Sequence, residues 1–523
     1  MITEFGLENL PIQNQKRNKL SSIKTKTKLR TYLYPALAGT ILGLSRLPIH
    51  LGFLVFFAFI PLFHFFSEQR EKKETFFAAA AFGSTYTLVC LHWISLVTFP
   101  GYLGIFVLFA VYFYFVFQLY YFIKQQNPKF GYLGFILIWI SFEFLQNFSE
   151  FSFPWFNLGY SLSEYLPFIQ PVELGGMSFL SLLILLVNIL LFELKGNFKR
   201  NIIIVSAIII LWSAYGVIRL KTIQLTKTDF NASIVQVSIP QDKKWEELYR
   251  DSTFALYENF SHKAVKEKTD LIIWPESSTP VYLLKQMEYR KWILDLSEEL
   301  ETDIFTGFPH YKYMGEGYPN KFKFYNSATL IGKNRKVYPP YYKNILVPFG
   351  ERIPFLKYFP FLWNVHLGQA NWEYGEKLEY YTVNGYKFSP LICFEIAFPS
   401  LTTKMAKNDV DFIVNITNDA WFHRSAGTYQ HAAMTKFRAI ETRKQIYRAA
   451  NTGYSLIVSP TGEFLKQTKL FEKITINNHL YIYENNSYFT KYLFWFPIVF
   501  VVGAGILLVY SVIDCLINRK RKL

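Results

Sequence analysis

The sequence predicts an α-helical membrane bundle that carries a large polar domain of alternating strands and helices. Two observations predict this architecture. Long apolar runs, which can cross a bilayer when they reach about 17–25 residues, are concentrated before residue 220 and again near the end of the 523-residue chain. The segment between them, 218–490, is polar, and in it short β-branched runs alternate with helical stretches.

Eight apolar runs are predicted to be membrane spans. They cover approximately residues 31–47, 48–66, 75–98, 101–123, 131–146, 176–194, 201–217 and 492–516. Their number and clustering argue against core helices of a large soluble protein. The chain is therefore divided into five predicted parts: a basic N-terminal segment (1–30), a seven-helix membrane domain (31–217), the polar domain (218–490), an eighth span (491–516) and a basic tail (517–523).

Lysine and arginine residues predict the orientation of these spans. They are concentrated in the first 30 residues, in every second connection and in the C-terminal tail, whereas the connection 147–175 contains neither residue. Basic connections remain in the cytoplasm, so both termini are predicted there and the polar domain on the outer face. The same distribution accounts for the formal net charge of +16 without a nucleic-acid partner.

The polar domain is predicted to be a layered α/β or α+β domain, because its strands and helices are interleaved. The strand-like runs are 232–237, 271–274, 303–308, 327–331, 387–393, 411–416 and 455–458, and the helical stretches are 246–268, 281–301 and 428–448. The last helix is expected to bury Met434, Phe437, Ile440 and Ile446.

Two stretches of this domain, 311–325 and 355–363, are unusually aromatic. Core packing is one explanation. The proline-interrupted stretch 355–363, which extends to residue 372, also fits a loop at the membrane interface, where tryptophan and tyrosine are favoured. Such a loop and the connection 147–175 are candidates for keeping water out of a site at the bilayer surface.

Cys393 is the candidate nucleophile, because it is the single cysteine of the polar domain and ends an apolar run. A small buried core residue is the alternative. Two motifs favour the nucleophile: WPES at 274–277 places Glu276 just after a strand, and YYKNILVPFGE at 341–351 places Lys343 and Glu351 around an apolar loop. Each charged residue alone also fits a surface ion pair, but together they offer a proton acceptor and a cation.

Other chemistries have weaker support. Histidines are scattered through the domain, at His262, His310, His366, His423, His431 and His479, and none has a papain-like context. One cysteine and scattered histidines lack the ligand spacing of a metal site, and no glycine-rich phosphate loop is present. We therefore expect no metal or other cofactor. The spans also permit a transporter, but their rare charges, such as Glu143, suggest hydrogen bonds between helices rather than a translocation path.

The order Glu276, Lys343, Cys393 within these motifs resembles the nitrilase superfamily of carbon–nitrogen hydrolases, and most closely its membrane branch, the apolipoprotein N-acyltransferases. The resemblance covers nearly the whole chain. It rests on the eight-span layout and on FPWFNLGYS at 153–161, IPQDKKW at 239–245, WPES, YYKNILVPFGE, ICFE at 392–395 and NDAWF at 418–422. It implies a four-layer α-β-β-α sandwich on the periplasmic face of the bacterial inner membrane.

The resemblance also implies roles for individual residues. Glu276 would be the general base, Lys343 the stabiliser of the transition state and Cys393 the nucleophile. The further matches are supporting acids, a substrate-contacting tryptophan and a site-lining loop: Glu351, Glu395, Trp245, Asn418, Asp419 and Trp421. Two departures leave the fit of the substrate open. Phe394 stands where the family often has tyrosine, and His423 and Arg424 stand where a small residue is common.

The implied reaction is the last step of bacterial lipoprotein maturation. A phospholipid would give its fatty-acyl chain to the cysteine, and the thioester would pass it to the N-terminal amine of a diacylglyceryl-cysteine lipoprotein. The expected partners are thus the phospholipid donor, the lipoprotein acceptor and the bilayer, with the enzyme acting as a monomer. A membrane-tethered amidase or nitrilase is the alternative enzyme. An inactive scaffold or transporter that keeps the sandwich as a binding module is a third hypothesis.

Overall fold

The computed structural model describes residues 32–316, 321–364 and 371–520. The predicted basic segment 1–30, residues 365–370 of the aromatic stretch (including His366) and the last three residues of the tail lie outside the described residues.

The described helices are concentrated in the first part of the chain and at its end. Those of the first part are α1 (Tyr32–Leu44), α2 (Ile60–Phe66), α3 (Lys72–Cys90), α4 (Ile94–Val97), α5 (Phe99–Gln126), α6 (Gly131–Leu145), α7 (Leu166–Ile169), α8 (Val172–Phe192) and α9 (Phe198–Thr222). The polar domain contributes α10 (Arg250–Ala264), α11 (Met287–Glu299), α12 (Pro399–Ala406) and α13 (Ala426–Thr442), and α14 (Phe496–Lys520) follows it.

Five helices within the described residues are long and apolar enough to cross a membrane: α5, α6 together with the turn before it (Pro128–Leu145), α8, α9 and α14. The first two predicted spans correspond to shorter apolar helices, Tyr32–Leu44 and Gly52–Phe66. The third corresponds to α3, whose 19 residues begin with two lysines and a glutamate. An apolar helical part is therefore confirmed, while the number of eight spans stays a prediction.

The interior of this helical part is packed with aromatic rings around a buried carboxylate. Trp139 packs against Phe59 and Phe113, with ring centroids 4.6 and 5.9 Å apart. Its Nε1–H donates to Glu143 Oε1 at 3.0 Å, and Glu143 Oε2 accepts from the Ser181 hydroxyl on α8 at 2.6 Å. Buried polar groups require such partners. Glu143 thus joins α6 to α8 by hydrogen bonds, as the sequence predicts.

Two six-stranded sheets form the described core of the polar domain. The strands are β1 (Thr226–Gln236), β2 (Leu271–Ile273), β3 (Asp303–Tyr313), β4 (Phe322–Ile331), β5 (Tyr341–Tyr342), β6 (Tyr381–Val383), β7 (Tyr386–Ile392), β8 (Phe412–Thr417), β9 (Gln445–Ala450), β10 (Leu456–Val458), β11 (Phe464–Gln467) and β12 (Ile474–Ile482). Sheet 1 has the order β12-β1-β2-β3-β4-β5, and sheet 2 has the order β11-β10-β9-β8-β7-β6.

The two sheets pack face to face, with helices outside them. Successive side chains of a strand point to opposite faces. On β2, Leu271 belongs to the core shared with sheet 2, whereas Ile272 packs with residues of α10 and α11. The rings of Phe305 and Phe388 meet between the sheets at 5.3 Å. On the other side of sheet 2, α13 contacts β9 and β10 and packs against α12. The layers are therefore α-β-β-α, as the resemblance implies.

The predicted helix 428–448 is wrong at its C-terminal end. Helix α13 ends at Thr442, because Arg443 adopts a left-handed conformation (φ +54°) at its C-cap. The chain then enters β9, so Ile446 lies on a strand and not on the apolar face of the helix. Strand β12, whose polar asparagines and histidine gave no strand signal, was also missed.

Helix α13 fastens the sandwich to the helical part at two buried points. At the first, Gln430 Oε1 accepts the indole N–H groups of Trp93 and Trp155 at 3.1 and 2.9 Å. Its Nε2 donates to the carbonyl of Cys90 at 3.2 Å. Trp155 in turn stacks on Phe394, the residue after Cys393, at an interplanar angle of 15°. The helical part therefore contacts the sandwich directly beside the candidate nucleophile.

At the second point, the fully buried Arg443 binds Glu173 of α8. Its Nε donates to Glu173 Oε2 at 2.9 Å, and its Nη1 donates to the carbonyl of Pro460 at the same distance. Arg219 of α9 donates to the other carboxylate oxygen at 2.5 Å. One carboxylate of the helical part thus pairs with cations from two different elements.

We predict that Arg443→Met strongly destabilises the protein. The substitution removes one partner of a buried ion pair, which typically costs about 3–5 kcal/mol. Thermal unfolding in detergent micelles should show a clearly lower melting temperature. Arg335→Met is the matched control, because Arg335 pairs with Asp295 and Glu298 on the exposed surface, where an ion pair contributes about 0–1 kcal/mol. Equal melting temperatures for the two variants would contradict the prediction.

Candidate active site

Glu276 lies on a tight turn directly after β2. The turn is held to β3, because Thr279 N–H donates to the carbonyl of Gly307 at 3.2 Å. A Cβ atom at Gly307 would lie 2.9 Å from the Cα of Glu276, so glycine permits this close approach. The carboxylate is buried, and its Oε2 accepts the backbone N–H of Asn418 at 2.8 Å. Sheet 1 therefore delivers Glu276 to a residue of sheet 2.

Lys343 follows β5 and lies between two carboxylates. Its ammonium is fully buried, 2.9 Å from Glu351 and 3.8 Å from Glu276 Oε1. Asn326 of β4 supports the same group: its side-chain N–H₂ donates to Glu276 Oε1 at 2.7 Å and to Glu351 Oε1 at 3.1 Å. Burial lowers the pKa of Lys343, but the two carboxylates and Cys393 outweigh this effect, so the pKa lies above its usual range.

Cys393 stands at the sharp corner where β7 ends and a short 3₁₀ turn (Cys393–Ala397) begins. Its backbone is left-handed, with φ +53°, a conformation that is uncommon for a residue with a side chain and that is concentrated at functional sites. The residue is partly exposed, whereas its neighbours Ile392 and Phe394 are buried. The strand therefore ends at a corner that carries the thiol.

Glu395 braces this corner and does not face the thiol. Its carboxylate accepts the backbone N–H of Ile392 at 2.7 Å and those of Asn344 and Ile345 at 2.6 and 3.1 Å. The Tyr341 hydroxyl also lies 2.9 Å from both carboxylate oxygens. Burial raises the pKa of Glu395 to about 7. One carboxylate therefore ties the strand end before Cys393 to the chain that follows Lys343.

A second buried network supports Cys393 from sheet 2. His431 of α13 lies with Nε2 3.2 Å from the Cys393 carbonyl oxygen and with Nδ1 2.9 Å from Asp419. Asp419 also accepts from Arg448 of β9 at 2.7 Å. Burial raises the pKa of Asp419, but Arg448 and His431 outweigh it and hold that pKa below its usual range. His431 therefore contacts the backbone carbonyl of Cys393, the candidate nucleophile. This contact differs from a cysteine–histidine pair, in which the imidazole contacts the thiol.

The ligand atoms of Cys393, Asp419 and His431 lie within 4.8 Å of one another. These donors do not fit a resident metal ion. Arg448 is fully buried and already pairs with Asp419, so a divalent cation would meet a fixed positive charge in a medium of low dielectric.

The electrostatic environment of Cys393 favours the thiol form at rest. Burial raises its pKa most, the Glu276 carboxylate raises it further, and Lys343 opposes both. The pKa of the thiol consequently lies above its ordinary value. A protein that uses this sulfur as a nucleophile must remove its proton during the reaction. Of the carboxylates that raise the pKa of the thiol, Glu276 has the largest effect.

The remaining predicted residues surround this centre at different depths. Asn418 is buried and binds Gln241 through its side chain at 2.7 Å. Trp421 is half-buried on the 3₁₀ turn Asp419–Phe422, and Trp245 is 42% exposed on the loop before α10. Phe394 is buried in the aromatic stack with Trp155, so its missing hydroxyl leaves an apolar wall.

Two predicted features at the rim are also visible. His423 and Arg424 are exposed, and the Arg424 guanidinium lies over the ring of Phe471 at 5.0 Å. In the aromatic stretch, Tyr358 and Phe361 are each 70% exposed, whereas Phe355 N–H donates to Glu150 of the connection 147–175 at 2.6 Å. The two segments proposed to exclude water therefore contact each other.

Three contributors to the site were not predicted from the sequence: Asn326, His431 and Arg448. They lie inside regular elements, so no turn or motif marks them. Lys244 is a fourth contributor that was not predicted. It lies within the motif IPQDKKW, and this motif is the signal that could have identified it.

Comparison with known families matches both halves of the chain. Residues 231–479 match the carbon–nitrogen hydrolase family, and residues 38–190 match the apolipoprotein N-acyltransferase N-terminal domain. The apolipoprotein N-acyltransferase of Geobacter metallireducens is 30% identical over 91% of this chain and 94% of its own length. The chain belongs to the apolipoprotein N-acyltransferase family. The resemblance found in the motifs is thereby confirmed.

Other members of the apolipoprotein N-acyltransferase family match most or about two thirds of this chain. The protein of Chlorobaculum tepidum is 27% identical over 97% of this chain and 99% of its own, and that of Aquifex aeolicus is 34% identical over 65% and 73%. Among solved structures, an amidase of the nitrilase superfamily from Nesterenkonia matches with a TM-score of 0.38 and 14% identity, over 50% of this chain and 93% of that chain.

We predict that Asn326→Leu slows the alkylation of the Cys393 thiol by iodoacetamide by about 10–100-fold. The substitution removes hydrogen bonds to two charged carboxylates, Glu276 and Glu351, and each such bond is worth about 1.5–3 kcal/mol. The measurement is the rate of alkylation, followed by mass spectrometry. Asn477→Leu is the control, because Asn477 donates to Glu267 at an exposed position on β12. Equal rates for both variants would contradict the role of Asn326 in supporting the two carboxylates.

Proposed function

We propose that this chain transfers a fatty-acyl group from a phospholipid to the N-terminal amine of a diacylglyceryl-cysteine lipoprotein, through a thioester on Cys393. Family membership supports the overall reaction. The observation that carries the two-step route is the buried cluster of Lys343, Glu276 and Glu351, of which Glu276 and Lys343 act electrostatically on the Cys393 thiol.

In the first step, the Cys393 sulfur would attack the ester carbonyl of the phospholipid. Its proton passes to Glu276, which returns it to the departing glycerol oxygen, so a lysophospholipid leaves. Such general acid–base assistance typically contributes about 10²–10⁴-fold. Glu276 suits this role because Lys343 lies nearer to Glu351 than to Glu276, which leaves Glu276 the less fully paired carboxylate.

Lys343 would stabilise the oxyanion of the tetrahedral intermediate, together with the backbone N–H of Phe394. A preformed cation needs no reorganisation when negative charge develops, and the loss of one oxyanion donor commonly costs about 10²–10³-fold. The burial of Lys343 and its bond to Glu351 hold the ammonium in place before substrate arrives.

In the second step, the neutral amine of the acceptor would attack the thioester. The nitrogen proton passes through Glu276 to the departing sulfur, which restores the thiol and completes a ping-pong cycle. Water is the competing nucleophile. The apolar wall formed by Phe394 and Trp155 and the contact between Phe355 and Glu150 support a site closed to water on its membrane side.

The same proposal includes the membrane layout. Eight spans with cytoplasmic termini would place the sandwich on the periplasmic face of the inner membrane, where both lipid substrates reside. The five long apolar helices and the exposed aromatic residues Tyr358 and Phe361 support a bilayer around this chain. A monomer suffices, because all the residues of the proposed chemistry come from one chain.

We predict that incubation with phospholipid in detergent micelles adds a fatty-acyl mass to the Cys393 peptide. Cys393→Ala should lose the adduct while keeping the melting temperature, and Glu276→Gln and Lys343→Met should each form it at least about 10²-fold more slowly. Cys515→Ser, which alters a thiol on α14, is the matched control and should acylate at the wild-type rate. The absence of an adduct in the wild-type protein would contradict the acyl-enzyme route.

A chase then separates transferase from hydrolase. A diacylglyceryl-cysteine peptide with a free amine should discharge the adduct and gain the acyl mass, whereas the same peptide with an acetylated amine should leave it intact. Discharge to water at an equal rate with either peptide would favour the membrane-tethered amidase.

A further inference from the structure

Lys244 is a buried charged residue that the mechanism above does not use. It lies on the loop 239–245, here named the Trp245 loop, between exposed Lys243 and exposed Trp245. Only 2% of Lys244 is exposed. Lysine is almost never buried to this extent without a partner, so its position requires a physical explanation.

The partner of Lys244 is the backbone of the general base. Its Nζ donates to the carbonyl oxygen of Glu276 at 3.0 Å. Among the described residues, this carbonyl is its one hydrogen-bond acceptor, although an ammonium has three N–H donors. Burial lowers the pKa of Lys244 to about 8, against the opposing effect of the Glu276 carboxylate. The ammonium is therefore still the main form at neutral pH, close to Glu276.

The rest of the Trp245 loop is bound to the same centre from the other sheet. Ile239 exchanges two hydrogen bonds with the side chain of Asn451, at 2.9 and 2.8 Å. Gln241 accepts from Asn418, whose backbone N–H donates to Glu276 Oε2. The loop that presents Trp245 thus reaches Glu276 by two routes, through its main chain and through its carboxylate.

We propose that Lys244 is a positioning residue for Glu276: it fixes the turn that carries the general base to the Trp245 loop, and its charge strengthens the hydrogen bond to the Glu276 carbonyl. This inference rests on the proposed role of Glu276. The charged groups around the pair are Lys343, 3.8 Å from Glu276 Oε1, and Glu351, which shares Lys343. Neither contacts the Glu276 carbonyl, so Lys244 acts on the turn independently of them.

Two readouts follow for the acylation of Cys393. Lys244→Met keeps the apolar stem but removes the donor and the charge, so the rate at pH 7 should fall by roughly 10–100-fold. Because burial lowers the pKa of Lys244 to about 8, the ammonium is lost as the pH rises through that value, and a neutral amine donates a weaker hydrogen bond than an ammonium does. The wild-type rate should therefore show a basic limb near pH 8 that the Lys244→Met profile lacks.

Two further variants separate position from charge. Lys243→Met removes a neighbouring lysine whose side chain is exposed, and should change neither rate nor profile. Lys244→Gln keeps an N–H donor without the charge, so it should recover part of the rate but also lack the basic limb.

The experiment measures acyl-Cys393 formation from phosphatidylethanolamine in micelles between about pH 6 and 9.5, for the full-length wild type and the three variants. A Lys244→Met profile that matches Lys243→Met overturns the proposal. A slow Lys244→Met enzyme that keeps the basic limb also overturns it, because a merely structural defect lowers the rate without removing the titration of Lys244. If Lys244→Met does not fold, the pH–rate profile of Lys244→Gln decides, and a basic limb like that of the wild type would overturn the proposal. Failure of the wild type to acylate would count against the proposed function instead.

Discussion

The buried ammonium of Lys343 is the interaction on which the site depends. It lies 2.9 Å from Glu351 and 3.8 Å from Glu276, out of contact with water. Two carboxylates this close would repel each other and one would become protonated, unless a cation and N–H donors stabilise both. Lys343 and Asn326 supply that stabilisation. Glu276 is thereby held in place beside a thiol whose proton it is proposed to accept.

This cluster can form only when both sheets are packed together. Sheet 1 supplies Glu276, Asn326 and Lys343, while sheet 2 supplies Cys393 and the backbone N–H of Asn418 that completes Glu276. Glu395 of the second sheet then binds the chain beside Lys343. The helical part contributes as well, because Gln430 holds Trp155 against Phe394. The residues of the proposed acyl transfer therefore lie next to the contact between the sandwich and the helical part.

The sequence predicted the family and the layered domain. It also predicted the site residues that lie in motifs interrupted by proline or glycine, such as Glu276 and Lys343. It did not predict Asn326 or His431, because each lies within a regular strand or helix and reaches the site through pairing between distant segments. The predicted helix 428–448 was too long, since Arg443 ends α13 without the glycine that usually marks such an end. Glu395, predicted as a supporting acid, accepts hydrogen bonds from buried backbone amides at the left-handed corner of Cys393.

The central claim is that Glu276 accepts the proton of a thiol that is not ionised at rest. The most direct measurement is the pH dependence of Cys393 alkylation by iodoacetamide, in the wild type and in Glu276→Gln, both with Cys515→Ser. We expect the wild-type rate at neutral pH to exceed that of Glu276→Gln, whose rate should climb about tenfold per pH unit, as for a bare thiol that loses its proton to water. Identical profiles for the two proteins would contradict the account.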